Sequence, residues 1–139
     1  MSYLLDTNVV SELRKRERGH AGVVRWAASV DPQELHTSVL VIGEIRRGIE
    51  LKRRADVAQA AALTVWLDKL RAALGARILP IDERIAEVWG GLGVPNPLPA
   101  IDGLIAATAI VHGLTVVTRN VADLARAGVV IIDPFAYPA

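Results

Sequence analysis

Four acidic residues occupy positions where a strand ends, a helix begins or a helix borders the core: Asp6, Glu44, Asp102 and Asp123. Because the carboxyl ends of parallel strands meet at one edge of a sheet, these carboxylates could converge there. Like charges in one pocket repel each other. A hard divalent cation such as Mg²⁺ or Mn²⁺ binds oxygen ligands and would offset that repulsion. The chemistry predicted by such a cluster is phosphodiester hydrolysis by a metal-activated water.

The two N-terminal acids also have simpler explanations. Asp6 and its neighbour Asn8 are residue types that cap helices, so either could serve the helix predicted to follow. In a functional site, Asn8 would instead orient a ligand beside Asp6. Glu44 borders the apolar stripe of its predicted helix, where a carboxylate must be paired, protonated or bound to a metal. Arg46 and Arg47 are the available ion-pair partners.

The two C-terminal acids leave similar alternatives open. Asp102 lies in the first turn of a predicted helix, where the helix dipole favours a negative charge. Between Asp102 and Arg119 there is no Asp, Glu, Lys or Arg, so this apolar helix carries a single carboxylate. Thr118, Asn120 and Asp123 follow the next β-branched run. Asn120 and Asp123 match a helix cap with an acidic residue at the third position, and either could also belong to the site.

The composition excludes several kinds of active site. The 139 residues include no cysteine, which rules out disulfide frameworks, thiol nucleophiles and zinc sites with thiolate ligands. His20, His36 and His112 include no closely spaced pair, which argues against a zinc or histidine-based centre. The sequence has no Walker A, GxGxxG or GxSxG motif, so a nucleotide switch or a serine hydrolase has no support.

The length and hydropathy predict one folded domain over residues 1–139. A hydrophobic fraction of 52% is enough for a substantial core. The N-terminus lacks a basic leader with an apolar stretch behind it, and no uncharged run is long enough to cross a bilayer. We therefore expect a cytoplasmic protein without a membrane partner.

Short apolar strands alternate with helical patterns along the chain, which predicts an α/β fold with a mostly parallel central sheet flanked by helices. Strands are predicted over residues 3–5, 35–37, 77–81, 115–118 and 129–132. Helices are predicted from residue 7, over 21–29, from 39, over 55–74, after Asp82 and over 100–111. The glycine- and proline-rich segment 90–99 is the clearest loop.

Basic residues are concentrated in two short windows. Nine of the 16 Lys and Arg residues lie within 14–18 and 46–54, although the net charge is only +1. Such clusters can form a phosphate-binding surface, and Arg46 and Arg47 are the candidate RNA contacts. Solvated helix ends would produce the same pattern.

Four sequence blocks together resemble the signature blocks of PIN-domain ribonucleases. They are LLDTNVVSE at 4–12, VIGEIRRG at 41–48, IDGLIAATA at 101–109 and VTRNVADL at 117–124. The resemblance is closest to the VapC- and FitB-type toxins of prokaryotic toxin–antitoxin pairs. The blocks occur in order and span essentially the whole chain.

The resemblance implies a three-layer sandwich and Mg²⁺- or Mn²⁺-dependent cleavage of RNA. By position, Asp6, Glu44 and Asp102 match the three acidic metal ligands of the family, and either Asn120 or Asp123 matches a fourth group. Thr118 corresponds to a hydroxyl near the metal. The family also implies a homodimer, a small VapB-like antitoxin whose C-terminal segment enters the active-site groove, and larger toxin–antitoxin complexes.

Two other functions are compatible with the same sequence. One is a PIN-domain RNase of RNA processing or decay outside toxin–antitoxin biology. The other is a catalytically silent module that binds nucleic acid. For the homodimer, the helices carrying Trp26 and Trp66 could offer exposed apolar faces, and the alternative is that both side chains belong to the core.

Overall fold

A five-stranded parallel sheet forms the centre of the structure, a computed structural model that describes residues 1–138. The strands lie in the order β3-β2-β1-β4-β5, and every neighbouring pair is parallel. They are β1 (Tyr3–Leu5), β2 (Leu35–Ser38), β3 (Ile78–Leu79), β4 (Thr115–Val117) and β5 (Ile131–Ile132). The predicted α/β class with a parallel sheet is confirmed.

Helices cover both faces of the sheet and complete three layers. They are α1 (Thr7–Arg14), α2 (Ala21–Ala28), α3 (Val39–Arg53), α4 (Val57–Leu74), α5 (Glu83–Gly91), α6 (Ala100–His112) and α7 (Val121–Ala125). Right-handed crossovers put α1 to α4 on one face and α5 to α7 on the other. The packing agrees with this division, because α3 lies on α1 and α4, and α6 lies on α5 and α7.

The core forms where the two central strands meet the helices. Leu4 in β1 and Val116 in β4 are fully buried, as expected for strands covered on both faces. Helix α6 is the most deeply buried helix and presents small side chains to the core, including Ala106 and Ala107. Helix α6 precedes a parallel strand, so its first turn lies at the carboxyl edge of the sheet.

Several predicted element ends are confirmed by their capping contacts. The side chains of Ser38 and Asp82 accept hydrogen bonds from backbone N–H groups in the first turns of α3 and α5. Helix α6 ends at Gly113, whose φ of 65° is the left-handed conformation that glycine adopts without strain.

Other boundaries differ from the sequence prediction. Helix α4 begins at Val57 because the Asp56 side chain accepts the N–H of Gln59 and caps it there. The edge strands are shorter than predicted: residues 77–81 contribute only Ile78–Leu79, and residues 129–132 only Ile131–Ile132. Helix α5 continues to Gly91, so the predicted loop 90–99 begins two residues late.

The expected apolar surface on α2 is absent. Trp26 is only 3% exposed and packs edge-on against Tyr3, with ring centroids 5.1 Å apart. Its indole is therefore part of the core, which decides between the two alternatives for Trp26, and α2 does not offer this side chain to a second copy. Trp66 on α4 is half-buried. No helix in the described range 1–138 has the length and apolar character needed to cross a membrane.

Candidate active site

The sheet has a switch point between β1 and β4. The chain leaves β1 toward β2 and leaves β4 toward β5, so the two connections diverge and open a crevice at the carboxyl edge. Asp6 follows β1 and Thr118 follows β4. These two side chains meet in the crevice, where the Thr118 hydroxyl donates to Asp6 Oδ2 at 2.8 Å.

Asp6 is held on both of its carboxylate oxygens. Its Oδ1 accepts the backbone N–H of Thr7 at 2.8 Å, so the side chain does cap α1. The same residue is 7% exposed and lines an open cleft. Capping and a position in the candidate site are therefore compatible in this residue.

A small polar network surrounds Thr118. Its hydroxyl accepts the backbone N–H of Asn120 at 2.9 Å, and the Asn8 amide lies 3.5 Å away. Asn8 Oδ1 also accepts the backbone N–H of Arg119 at 3.2 Å. Asn8 thus connects the segments that follow β1 and β4, as expected for a residue that orients the groups around Asp6.

Asp102 lies in the first turn of α6 and faces the same crevice. The Asn120 amide donates to Asp102 Oδ2 at 2.9 Å. Burial raises the pKa of Asp102, and the negative charges of Asp6, Asp123 and Glu44 raise it further, whereas the Asn120 hydrogen bond lowers it. Asp6, Asp123 and Glu44 are therefore close enough to Asp102 to raise its pKa.

Glu44 reaches the site from the first half of α3. The Thr7 hydroxyl donates to Glu44 Oε1 at 2.6 Å, and the carboxylate is exposed. The alternative partner, Arg46, lies on the same helix and instead approaches Glu50, at 3.7 Å. Among residues 1–138, none of the ion pairs includes Asp6, Glu44, Asp102 or Asp123.

Asp123 has a more distant position. It lies in the first turn of α7 and raises the pKa of Asp102 through its charge, but it is not among the residues that line the cleft. The Asn120 side chain does not cap α7, because its amide is directed to Asp102. Asn120 therefore occupies the N-cap position of α7, with Asp123 in the first turn, but its side chain makes no capping hydrogen bond.

The cleft has a volume of ≈ 550 Å³ and is open to solvent. It is lined by Asp6, Thr7, Asn8, Glu44, Pro99, Ala100, Ile101, Asp102 and Asn120. In the part of the chain that the structure describes, no three acidic or histidine side chains already converge as a tight metal cage.

Thr7 is a contact residue that the sequence analysis did not identify. Its hydroxyl holds Glu44, while its backbone N–H bonds Asp6. Its position beside Asp6 was the only available indication. The apolar wall at residues 99–101 was likewise treated only as a loop end and a helix start.

Comparison with known proteins gives a match over most of this chain. A family model described as PIN domain matches residues 3–129, which include all four acids and both strands of the switch point. The chain belongs to the PIN-domain family. The matched range leaves the first two and the last ten residues of this PIN domain outside it.

Curated relatives cover the PIN domain almost completely. It is 32% identical to VapC ribonuclease Y4jK of Sinorhizobium fredii, over 95% of this chain and 96% of the relative. It is 31% identical to Toxin FitB of Neisseria gonorrhoeae, over 95% and 97% respectively. The crystal structure of FitAcB from Neisseria gonorrhoeae superimposes with a TM-score of 0.87 at 31% identity, covering 96% of this chain and 99% of that one. The PIN domain therefore belongs with the VapC- and FitB-type ribonuclease toxins.

Proposed function

We propose that this PIN domain is a divalent-metal-dependent endoribonuclease and the toxin of a toxin–antitoxin pair. The observation that carries the proposal is the acidic cleft at the switch point, where no Lys or Arg among the described residues pairs with the three carboxylates that line it. The names of its relatives, a VapC ribonuclease and a FitB toxin, support both parts of the proposal.

The donor set suits a hard cation. Asp6, Glu44 and Asp102 offer only oxygen atoms, which Mg²⁺ and Mn²⁺ prefer. Burial raises the pKa of Asp102 most, the neighbouring negative charges raise it further, and a bound cation would favour the ionised form against both effects. Asp6, Glu44 and Asp102 would bind the ion directly, and Asp123 would act through its charge or a water. When bound, the ion would activate a water and neutralise charge on the scissile phosphate.

The neutral residues of the site orient these acids. Thr118 fixes one oxygen of Asp6, Asn120 fixes one oxygen of Asp102, and Thr7 restrains Glu44. Each carboxylate keeps free lone pairs for a cation. Outer hydrogen bonds of this type set the direction and basicity of metal ligands.

The phosphate backbone of RNA would lie across the open cleft and along α3. Arg46 and Arg47 follow Glu44 by two and three residues on that helix, and Arg47 is exposed. Positive charges near the cleft would favour RNA over the repulsion exerted by the acids. Arg46 is in part neutralised by Glu50, so Arg47 is the stronger candidate contact.

A toxin of this type requires an inhibitor in the same cell. By its family relationship, we infer a small VapB-like antitoxin, a homodimer of this chain and larger complexes of both proteins. An RNA substrate would place all of them in the cytoplasm.

The proposal is tested by expressing the chain alone and together with its neighbouring open reading frame. We expect growth arrest and new RNA 5′ ends from the chain alone, and neither effect when the neighbouring product is present. Asp102→Asn is the matched inactive control. The purified protein should cleave RNA with Mg²⁺ or Mn²⁺ and stop when EDTA is added.

Each failure has a distinct meaning. Cleavage without growth arrest, unaffected by the neighbouring product, would assign the enzyme to RNA processing or decay. RNA binding without cleavage at any metal concentration would make the chain a silent binding module and contradict the proposal.

A further inference from the structure

An apolar pocket lies directly beside the acidic cleft. It has a volume of ≈ 400 Å³ and is formed by the end of α5, the segment after it and the start of α6. We call it the Trp89 pocket, and its lining includes Trp89, Leu92, Val94, Leu98, Ala100 and Gly103. None of the residues that line it is charged.

The Trp89 pocket and the acidic cleft share one lining residue at the start of α6. Ala100 lines both of them. The indole of Trp89 lies against Gly103, where an added Cβ would be only 3.0 Å from Trp89 Cδ1. Gly103 is the residue after Asp102, so the aromatic ring packs within one residue of a proposed metal ligand.

Trp89 is unusually open for its size. It is 42% exposed, whereas Trp26 in the core is 3% exposed. Its contact with Gly103 involves Cδ1 and Nε1 on one edge of the ring, and an indole exposed to this degree offers aromatic surface to a ligand. Single-stranded RNA is commonly bound by stacking its unpaired bases on such surfaces.

The geometry points to a nucleobase as the occupant. We propose that the Trp89 pocket binds one unpaired base of the RNA substrate, next to the scissile phosphate, and thereby contributes to the choice of cleavage site. A nucleobase is flat, aromatic and uncharged, which matches the uncharged lining. The phosphate of the same nucleotide would lie in the acidic cleft, which borders the pocket at Ala100. This inference rests on the proposed ribonuclease function and adds to it a subsite for a base.

The kinetic test compares Trp89→Leu, Trp89→Phe and the parent. A short randomised RNA library first identifies the preferred cleavage sequence, and oligonucleotides of that sequence then carry an abasic residue on either side of the cut. We expect Trp89→Leu to lower kcat/KM by roughly five- to a hundredfold, the range for removal of one base–aromatic stack. The effect should appear mainly in KM, because stacking also stabilises the bound ground state. Trp89→Phe should retain most of the activity.

Abasic substrates distinguish stacking from a general loss of packing. Removing the base that enters the pocket should cost the parent enzyme about the same factor as Trp89→Leu. For Trp89→Leu, the same abasic substrate should lower kcat/KM hardly further, because this variant does not stack on the base. Trp66→Phe on α4 is the matched control, and we expect it to keep both the cleavage sequence and the abasic penalty.

A binding measurement gives an answer that is independent of cleavage. Oligoadenylate and oligouridylate are titrated at low salt without added metal, and tryptophan fluorescence is followed. We expect quenching in the parent and in Trp66→Phe, and its loss in Trp89→Phe. If the parent does not cleave RNA, the ribonuclease proposal fails while this titration still decides whether the pocket binds a base.

Three results would overturn the inference. The first is a parent that cleaves RNA while Trp89→Leu keeps the same sequence preference and the same abasic penalty. The second is the absence of Trp89-dependent quenching with both oligonucleotides. The third is an effect of Trp89→Leu on sedimentation or antitoxin affinity alone, which would assign the pocket to a protein contact.

Discussion

Each proposed metal ligand is held by an uncharged donor. Thr118 bonds Asp6, Thr7 bonds Glu44 and Asn120 bonds Asp102. Hydroxyl and amide donors fix the direction of a carboxylate without cancelling its charge. The cleft therefore keeps a negative potential for a divalent cation, which an Arg or Lys partner would neutralise.

The repulsion between Asp102 and the neighbouring carboxylates should lower the stability of the metal-free protein. Burial and three neighbouring carboxylates raise the pKa of Asp102 in the folded state. A raised carboxyl pKa means that the unfolded chain loses its proton first as the pH increases, so folding stability falls between the unfolded and folded pKa values. At neutral pH the ionised Asp102 thus destabilises the fold.

We therefore predict that Asp102→Asn raises Tm by a few degrees in EDTA at neutral pH. The amide can still accept the Asn120 hydrogen bond, so packing should be kept. The gain should shrink when the pH falls below the ordinary carboxyl pKa, because the parent carboxyl is then neutral as well. Thermal unfolding at the two pH values checks this, and a variant less stable than the parent at neutral pH would contradict it.

Asn120 and Asp123 should contribute unequally to metal affinity. Asn120 directly bonds Asp102, whereas Asp123 acts only through its charge and does not line the cleft. We predict that Asn120→Ala raises the half-saturating Mn²⁺ concentration by roughly ten- to a hundredfold, as is typical for an outer hydrogen bond to a ligand. Asp123→Asn should have the smaller effect. A Mn²⁺ titration of cleavage that ranks them in the opposite order would make Asp123 the fourth site group.

At the scale of elements, helix α6 sets the position of Asp102. Its buried face consists of small residues that allow close packing on the sheet, and Ala106 is fully buried. We predict that Ala106→Leu lowers the free energy of unfolding by about 1–3 kcal/mol through overpacking. Because the helix must shift, the Mn²⁺ requirement for cleavage should rise as well.

Ile110→Leu is the matched control on the same helix, since Ile110 is exposed. Chemical denaturation and a Mn²⁺ titration should leave this control near the parent. If Ala106→Leu lost stability but kept the parent Mn²⁺ requirement, the packing of α6 on the sheet would not determine metal binding by Asp102, and the prediction would be contradicted.

Element boundaries were predictable where one residue decides them. Ser38, Asp82 and Gly113 end or begin helices through local hydrogen bonds or φ angles, and these ends were predicted. The short edge strands were overestimated, because a β-branched or apolar run extends only as far as its neighbour pairs with it. For β3, that neighbour is the pair Thr37 and Ser38.

The sequence could predict that Asp6, Glu44 and Asp102 come together at one edge of the sheet, but not how their side chains are held. The switch-point topology follows from the order of strands and helices, and it brings together residues more than a hundred positions apart, such as Asp6 and Thr118. The bond between Asn120 and Asp102 depends on the orientation of one side chain, and a local helix cap explained the same residue equally well.

At the scale of the whole molecule, the net charge is close to zero, but the acidic residues of the cleft and the two basic windows form regions of opposite charge. We predict that replacing Arg46 and Arg47 together by Ala weakens RNA binding and flattens its salt dependence. For single-stranded RNA the log–log slope changes by roughly 0.7 for each phosphate that is no longer neutralised. Lys69→Ala with Arg71→Ala on α4 is the charge-matched control, because both residues are exposed. An unchanged slope in the α3 variant would indicate that Arg46 and Arg47 contact a protein partner or solvent and not the RNA phosphates.

The proposed function depends above all on a divalent cation that Asp6, Glu44 and Asp102 would hold and that RNA cleavage would require. Its most direct test is the rate of RNA cleavage as a function of Mn²⁺ concentration for the parent and for folded Asp102→Asn. We predict a saturable rise in the parent and no cleavage by Asp102→Asn at any Mn²⁺ concentration. Cleavage by the parent in EDTA, or a folded Asp102→Asn that follows the parent curve, would contradict the claim.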